Sequence, residues 1–370
     1  MLKATETVLE INLNALEHNY NFLRKKLQPT TKFMGVVKAF AYGSDAAVVA
    51  KKLESLGANY FAVAYTSEGI ALREAGIQLP ILVLHPLAAN FDSLMQYQLE
   101  PSLYSKKILL DFIAAASKAN QDHYPIHFKF NTGLNRLGFT KDDVAFIGET
   151  VNSTNAVKVA SLFSHLAASE DLEEQNFTLG QIQNYISITQ ALEPLLGYTP
   201  LRHILNTSGI INYSEKYQFD MVRSGIGLYG FGNDAAIDPQ LQPIATLKTV
   251  ISQIHTITAG ESVGYNRAFV AAETTKTATL PIGHADGIGR QYGNRNASVL
   301  INGKKAPIIG NVCMDMIMVD VSNIDCNEGD EVIVFGKGQS AEAFAATTGT
   351  ISYELLCSIS QRIKRVYIGG

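Results

Sequence analysis

Cysteine is scarce in this chain of 370 residues, which has only Cys313, Cys326 and Cys357. No two of them form a CxxC pair, and their spacing does not match that of metal ligands. Isolated cysteines of this kind argue against a disulfide framework and fit reduced thiols. We therefore expect no structural disulfide and no bound metal.

Long apolar runs and clusters of positive charge are also missing. No run approaches the roughly 20 residues that cross a bilayer, and the N-terminal MLKATETVLE lacks the apolar core of a signal peptide. Lys25-Lys26 and Lys106-Lys107 are isolated doublets in a chain of formal net charge -4, which offers no basic surface to a nucleic acid. The sequence predicts a cytoplasmic globular protein that binds neither membranes nor nucleic acids.

What the chain does contain is an alternation of short apolar runs with longer helical patterns. Its length favours two domains. Eight of the apolar runs, each followed by a helical stretch, lie at 33–37, 60–64, 80–84, 101–104, 125–130, 157–163, 202–206 and 220–223. This alternation is typical of a (β/α)8 barrel with parallel strands. We predict that fold for residues 1–234.

Beyond about Gly232 the long helical periods give way to strand-like runs separated by glycine turns. These runs are ATLKTVISQIHTI, TKTATLPIG, ASVLINGKKAPIIG, CMDMIMVDVS and DEVIVFG, and the last precedes a single helical run, SAEAFAAT. The polar stretch NDAAIDP at 233–239 marks the change. It predicts a second, mainly β domain over residues 235–370.

Lys38 stands at the end of the first predicted strand, within VVKAFAYGSD. Active sites of such barrels lie at the C-terminal ends of the strands. A desolvated lysine has a lowered pKa, and its amine can attack an aldehyde such as that of pyridoxal phosphate. Taken alone, the position also fits a lysine that snorkels at a strand end.

Two loops at the ends of the last two predicted barrel strands have the composition of a phosphate site. DMVRSGIGLYGFG, at 220–232, is rich in glycine, and HILNTSG, at 203–209, offers the hydroxyls of Thr207 and Ser208. Barrels bind phosphate at this place through backbone N–H groups and a helix N-terminus. The two loops together support a phosphate-bearing cofactor, although each alone is weak evidence.

A set of motifs covers the chain from LEINLNALEHN near its start to CSISQRIKRVY near its end. In order, they are VVKAFAYG, KFNTGLNRLGF, FSHLA, HILNTSG, MVRSGIGLYG, VGYNRAF, PIGHADG and NVCMDM. Their order and approximate spacing resemble those of the bacterial alanine racemases, which are fold-type III pyridoxal-phosphate enzymes. The resemblance implies interconversion of L-alanine and D-alanine, which supplies D-alanine for peptidoglycan.

The resemblance also implies which residues hold the cofactor. Lys38 would form the Schiff base with pyridoxal phosphate, and Tyr42 would bind the phosphate. Thr207, where the family usually has serine, would complete the phosphate site together with the backbone of Gly225 and Ile226.

Arg223 matches the family's arginine at the pyridine nitrogen of the cofactor. Because a guanidinium only donates hydrogen bonds, the ring nitrogen would stay unprotonated and the cofactor would be a weaker electron sink. His165, in FSHLA, matches the histidine that links this arginine to the catalytic tyrosine. Without the family, it would be interpreted as a hydrogen-bonded core residue.

Arg136, in TGLNRLGF, matches the arginine that contacts the phenolic oxygen of the cofactor and the substrate carboxylate. Lys129 matches a lysine that is often carbamylated in the family, where the resulting anion holds the arginine in place. A second buried cation would otherwise repel Arg136 at close range. A neutral or ion-paired Lys129 is the alternative.

Tyr265, in VGYNRAF, matches the second catalytic base, and Met314 and Asp315 would line the same pocket. In the family these three residues come from the partner subunit, so the resemblance implies a homodimer. Racemisation needs a proton carrier on each face of the substrate. Lys38 would serve the α proton of D-alanine, and Tyr265 that of L-alanine.

Several positions depart from the usual family pattern. Phe40 replaces the common asparagine, and Ser44-Asp45 replace the usual His-Gly. His284 and Gln361 stand where many members have tyrosines that narrow the entry channel. The width of the substrate is therefore open, and the chain resembles the racemase modules that some bacteria fuse to a peptidoglycan ligase.

Three alternative functions remain from the sequence. The first is an amino-acid racemase of broad specificity. The second is a fold-type III amino-acid decarboxylase, although such enzymes usually place an acid at the pyridine nitrogen, where this chain has Arg223. The third is a non-enzymatic pyridoxal-phosphate carrier, which would lack the second domain and Tyr265.

Overall fold

The computed structural model describes residues 4–234 and 236–369. They divide into two compact units. The barrel unit comprises residues 16–41, 46–234 and 236–242, and the β unit comprises residues 4–15, 42–45 and 243–369.

In the described part of the chain, the barrel unit contains eight parallel strands arranged in chain order. They are β1 (Lys32–Val36), β2 (Tyr60–Val63), β3 (Ile81–Val83), β4 (Glu100–Leu103), β5 (Tyr124–Lys129), β6 (Val157–Phe163), β7 (Leu201–His203) and β8 (Met221–Ser224). β8 returns to β1, with Met34 opposite Arg223. Between β7 and β8, the Asp220 N–H donates to the Arg202 carbonyl at 3.1 Å and the Arg223 N–H donates to the Leu205 carbonyl at 3.0 Å. The barrel is nearly closed, and the predicted (β/α)8 fold is confirmed.

The segments between these strands form helices, because their apolar residues recur at helical spacing. In Lys106–Lys118, Ile108, Leu109, Phe112 and Ala116 are buried along one face, and the Ser105 hydroxyl caps the first turn. The other α-helices up to residue 242 are Leu13–Arg24, Ala46–Ser55, Thr66–Glu74, Phe91–Gln96, Val144–Asn152, Gln175–Leu196 and Thr207–Tyr217. Short 3-10 turns lie at Ala88–Asn90, Lys141–Asp143, Ile226–Tyr229 and Asp238–Gln240.

The β unit is built on a nine-stranded sheet, counted over the described residues. Its order is Gln253–Ile257, Thr275–Leu280, Ile317–Asp320, Lys304–Ile309, Ser298–Ile301, Glu331–Phe335, Ala245–Val250, Val8–Asn12 and Lys364–Ile368. Neighbours pair antiparallel except the last two, which are parallel. Ser262–Val263 and Phe269–Val270 form a separate two-stranded ribbon. Short 3-10 turns lie at Tyr265–Arg267, His284–Asp286 and Arg290–Tyr292.

The N-terminal strand Val8–Asn12 differs from the sequence-based boundary, which placed residues 1–234 in the barrel domain. It pairs instead within the β unit, where Leu9 and Ile11 are fully or almost fully buried. Its Glu10 carboxylate meets the Lys248 ammonium at 2.9 Å, and both side chains are buried. An apolar alternation predicts a strand, but it does not tell which sheet the strand joins.

The β unit also has two α-helices within the described residues, where the sequence predicted one. Ala341–Ala346 corresponds to the predicted SAEAFAAT, and Ser352–Ser358 follows it. Among the described helices, none is both long and apolar enough to cross a bilayer.

Candidate active site

Lys38 follows β1 and directly precedes a short left-handed turn. Residues Ala39, Phe40, Ala41 and Tyr42 all have φ between 52° and 54°. For residues other than glycine, left-handed backbone costs about 1–2 kcal/mol each. Such a run persists only where its surroundings hold it, which is a common property of functional sites.

Glu68 is one of the groups that hold this turn. It lies in the first turn of the helix Thr66–Glu74, and one of its carboxylate oxygens accepts from the Ala39 N–H at 2.6 Å. The other oxygen accepts from the Ala64 N–H at 2.6 Å and from the Tyr65 N–H at 3.1 Å. Glu68 thus ties the turn after β1 to the end of β2.

Several cations gather around the position of Lys38. Burial lowers the pKa of Lys129 to about 8, and the charges of Arg136, Arg223 and Lys38 contribute. Burial holds the pKa of His165 well below its usual value, and the same three charges and that of Lys129 lower it further. Lys129, Arg136 and Arg223 form no ion pair within the described residues. A cluster of this kind is suited to an anion.

Arg223, on β8, is buried with several acceptors around its guanidinium. Its Nη1 donates to His203 Nδ1 at 2.6 Å, and its Nη2 donates to the Ser164 carbonyl at 2.6 Å. His165 Nδ1 lies 3.4 Å from the same Nη2. Burial lowers the pKa of Arg223 to about 10, so the group remains a cation and a donor at neutral pH.

Backbone N–H groups for a phosphate lie beside Arg223. The helix Thr207–Tyr217 starts after Asn206, whose side-chain oxygen accepts from the Gly209 N–H at 2.9 Å. The amides of Thr207 and Ser208 are at its first turn, where a helix leaves N–H groups unpaired and carries positive partial charge. The Thr207 hydroxyl lies 2.9 Å from that of Ser224 and accepts from the Gly227 N–H at 3.2 Å.

Glycine is required at position 227, because the loop leaves no space there for a Cβ atom. A Cβ on Gly227 would lie 2.5 Å from the methyl carbon of Thr207. Gly225 precedes the 3-10 turn Ile226–Tyr229 with φ -111° and ψ -94°. Together with the helix start at Thr207, this loop fits the phosphate of pyridoxal phosphate, and the neighbouring cations fit its other anionic groups.

Tyr42 and the residue after it belong to the β unit. The Tyr42 side chain is buried, and burial, followed by the charges of Tyr353 and Cys357, raises its pKa. Gly43 has φ 80°, and a Cβ there would collide with the Leu356 carbonyl oxygen. Arg365 Nη2 also donates a hydrogen bond to the Gly43 carbonyl oxygen at 2.9 Å.

Tyr265 is on the surface of the β unit with 75% of its area exposed. The Asn311 side-chain amide donates to its carbonyl at 3.1 Å, which joins it to the loop carrying Met314 and Asp315. Met314 is also exposed, at 59%. The Asp315 carboxylate accepts from Arg362 Nη2 at 2.7 Å.

Arg362 connects the two positions where the entry-channel tyrosines of the family are replaced. It follows Gln361 and donates through Nε to the Asp286 carboxylate at 2.6 Å. Asp286 ends the 3-10 turn that starts at His284, whose N–H donates to the Cys313 carbonyl at 2.9 Å. The two departures therefore lie on loops joined by one ion pair.

The sequence-based site residues thus fall into two groups. Lys38, Lys129, Arg136, His165, Thr207, Arg223, Gly225 and Ile226 are in the barrel unit, and Tyr42, Tyr265, Met314 and Asp315 are in the β unit. Sequence reasoning assigned no role to Glu68, Asn206 or His203. Asn206 could have been predicted as a helix N-cap, because asparagine is preferred at that position and it directly precedes Thr207. No sequence pattern marked Glu68 or His203.

The barrel has a lysine after its first strand, backbone N–H groups after its last two strands and buried cations near them. These features are those of a barrel enzyme that binds pyridoxal phosphate. The comparisons agree. A family model described as "Alanine racemase, N-terminal domain" matches residues 11–232, and one described as "Alanine racemase, C-terminal domain" matches residues 244–367. The chain belongs to the alanine racemase family. It is an amino-acid racemase, an isomerase whose cofactor is pyridoxal phosphate.

Individual relatives match over nearly the whole chain. The alanine racemase of Halothermothrix orenii is 37% identical over 98% of both chains. The solved structure of alanine racemase from Clostridium difficile 630 superposes with a TM-score of 0.92 at 34% identity, covering 100% of this chain and 97% of that chain. The structure of alanine racemase from Bartonella henselae with covalently bound pyridoxal phosphate gives a TM-score of 0.89 at 30% identity, covering 99% of this chain and 100% of that chain.

Proposed function

We propose that the chain interconverts L-alanine and D-alanine by a two-base mechanism, with Lys38 and Tyr265 as the proton carriers. The observation that carries the proposal is the buried Arg223, a donor without an acidic partner among the described residues, beside the N–H cradle of Thr207. A donor at the cofactor ring favours a racemase over a decarboxylase of the same fold type, which usually has an acid there. The presence of the β unit argues against a barrel-only carrier.

The residues that would hold pyridoxal phosphate are Lys38, the N–H groups from Thr207 and from Gly225 and Ile226, and the Tyr42 hydroxyl. Arg223 would donate to the ring nitrogen. When bound, the cofactor acidifies the α proton of the amino acid. The remaining chemistry consists of binding and proton movements that side chains of the protein perform.

Arg136 would bind the substrate carboxylate through paired N–H donors. Lys129 supports this role if it becomes a carbamate. Burial and the surrounding cations lower its pKa to about 8, so a substantial fraction of the amine is neutral at physiological pH and can attack CO2. The new N–C bond and the release of one proton convert a repelling cation into an anion beside Arg136.

The two bases act on opposite faces of the substrate. The Lys38 amine removes the α proton of D-alanine, and the protonated Tyr265 then donates a proton to the opposite face, which gives L-alanine. In the reverse direction the Tyr265 phenolate removes the α proton of L-alanine, and the protonated Lys38 donates a proton to give D-alanine. A free phenol ionises only near pH 10, so this use at neutral pH needs nearby positive charge. Arg223 would provide that charge, and the neutral His165, whose Nδ1 lies 3.4 Å from Arg223 Nη2, would connect it to Tyr265 by hydrogen bonds.

Tyr265 would reach the barrel of a second copy, so the active form would be a homodimer. The homodimer is supported by the surface of the β unit. There the side chains of four residues are about half exposed or more: Tyr265, Val270, Met314 and Met316. Apolar side chains of that size, gathered near one loop, are typical of a surface that a partner covers. The product D-alanine would serve peptidoglycan, and the free cysteines support a cytoplasmic location.

The proposal is tested by exchange of the α proton in heavy water with Tyr265→Phe and Tyr265→Ala. Because only the hydroxyl carries the proton, both variants should lose exchange with L-alanine by about a hundredfold or more. Exchange with D-alanine should change far less. If Tyr265→Phe exchanged the α proton of L-alanine at the wild-type rate, Tyr265 would have only a packing role. The same would follow if the exchange rates of the two enantiomers fell equally while the cofactor remained bound.

A further inference from the structure

A line of buried polar side chains crosses the barrel interior behind Arg223. Five consecutive strands each contribute one residue: Glu100 from β4, His127 from β5, Ser161 from β6, His203 from β7 and Arg223 from β8. All five are buried. The successive contacts are 2.6 Å from Glu100 to His127, 2.6 Å from His127 to Ser161, 2.8 Å from Ser161 to His203 and 2.6 Å from His203 to Arg223.

The direction of the hydrogen bonds follows from Arg223, which has no acceptor atom. Its Nη1 must donate, so His203 Nδ1 must accept. Burial and the charge of Arg223 lower the pKa of His203, which keeps the ring neutral. The ring proton of His203 is therefore on Nε2 and is donated to the Ser161 oxygen.

The rest of the line is fixed in the same way. With its oxygen accepting from His203, Ser161 can donate its own proton to His127 Nδ1. His127 then carries a proton on Nε2, which it donates to the Glu100 carboxylate. If Ser161 instead accepted from both histidines, its hydroxyl proton would have no acceptor among the described residues, which is costly for a fully buried group.

Glu100 is the acceptor that ends the line. Burial raises the pKa of Tyr60, and the charge of Glu100 and its hydrogen bond with the Tyr60 hydroxyl raise it further. Arg223, at the other end, touches no carboxylate in the part of the chain that is described. The barrel thus separates a buried cation from its anion by three side chains whose hydrogen bonds all point the same way.

We propose that Glu100, His127 and Ser161 are positioning residues for Arg223. They hold His203 in the tautomer that accepts from Nη1, and this fixes the plane of the guanidinium and the direction of its other N–H groups. The inference rests on the proposed role of Arg223 at the cofactor ring. It concerns three residues that do not touch that site.

The test uses Ser161→Ala, which interrupts the line at its centre, and Ser161→Thr, which retains the hydroxyl. Ser102→Ala is a matched control, because Ser102 is fully buried on β4 and its hydroxyl has no hydrogen-bond partner within the described residues. The holoenzyme, labelled with 15N-histidine, is examined by NMR, and kcat, KM for alanine and cofactor content are measured in parallel.

In the wild type and in Ser161→Thr, His127 and His203 should both carry the proton on Nε2. In Ser161→Ala the resonances of His127 Nδ1 and His203 Nε2 should shift, and kcat should fall about tenfold, a typical effect of losing a group that orients a functional side chain. KM and cofactor content should stay within about twofold, and Ser102→Ala should match the wild type in every measurement.

A wild-type His203 protonated on Nδ1 would overturn the proposal. So would an unchanged kcat in Ser161→Ala, or an equal loss in Ser161→Thr and Ser161→Ala. The tautomers are read from the spectrum whether or not alanine is the substrate. A failure of the proposed racemisation is therefore distinguishable from a failure of the positioning line.

Discussion

The Glu68 carboxylate accepts a hydrogen bond from the backbone N–H of Ala39, with 2.6 Å between the two heavy atoms. Ala39 is the first residue of the left-handed turn that follows Lys38. The bond therefore joins a charged acceptor to the backbone that sets the direction of the proposed catalytic lysine. Hydrogen bonds of this kind contribute about 1.5–3 kcal/mol, comparable with the cost of one or two left-handed residues.

Replacing Glu68 should loosen the attachment of the cofactor. Glu68→Gln keeps one acceptor oxygen but turns an NH2 toward a backbone N–H, so either the bond from Ala39 or the bonds from Ala64 and Tyr65 are lost. We expect faster loss of cofactor on dialysis and a lower Tm. Glu74→Gln, an exposed acid on the same helix, is the control and should behave as the wild type. Wild-type retention of cofactor in Glu68→Gln would show that the turn is held without this carboxylate.

The proposed dimer can be tested by mixing inactive chains. A heterodimer of Lys38→Ala and Tyr265→Ala contains one site with both native residues, so it should recover about half of the wild-type activity per dimer. Pairing Lys38→Ala with the double variant should recover none. Absence of activity in verified Lys38→Ala and Tyr265→Ala heterodimers would argue for a site built within one chain.

Carbamylation of Lys129 should follow the neutral fraction of its amine. With a pKa of about 8, that fraction rises about tenfold between pH 7 and pH 9. At a fixed concentration of dissolved 13CO2, the initial rate of appearance of a carbamate signal in the 13C NMR spectrum should rise by the same factor. Lys129→Met should give no such signal, and a signal that persists in this variant would assign the carbamate to another lysine.

The two residues that replace the entry-channel tyrosines, His284 and Gln361, should control the width of the substrate. His284 and Gln361 flank the ion pair of Asp286 with Arg362, so we expect Gln361→Tyr and His284→Tyr to narrow the same opening. Each should reduce kcat/KM for L-lysine more than for L-alanine, as chiral analysis of the products would show. Equal reductions for both amino acids would place these side chains away from the route of the substrate.

The buried ion pair between Lys248 and Glu10 should matter for stability. Lys248→Met removes the ammonium that pairs with the buried Glu10 and, at 3.4 Å, with Glu331, so it should lower the free energy of unfolding by about 3–5 kcal/mol, measured in urea. The double variant with Glu10→Leu should recover most of the loss. Lys107→Met, in the exposed pair with Asp111, should change it by less than about 1 kcal/mol. A small effect of Lys248→Met would indicate that water reaches Glu10.

The amino-acid sequence by itself determined the barrel strands, the β-rich second half and the glycine-rich loop after Arg223. These features are local, because strand and helix periods and glycine turns are properties of adjacent residues. The sequence did not determine that Val8–Asn12 joins the β unit, since period-two alternation fixes which face is buried but not the partner strand.

Only the tertiary structure decided the left-handed turn and the line of hydrogen bonds behind Arg223. Ala39, Phe40 and Ala41 have no local preference for positive φ, and the turn is held by contacts such as that of Glu68, which is 29 residues away. Glu100 and Arg223 are 123 positions apart in the sequence, and they are connected because closing a parallel barrel brings neighbouring strands to hydrogen-bond distance.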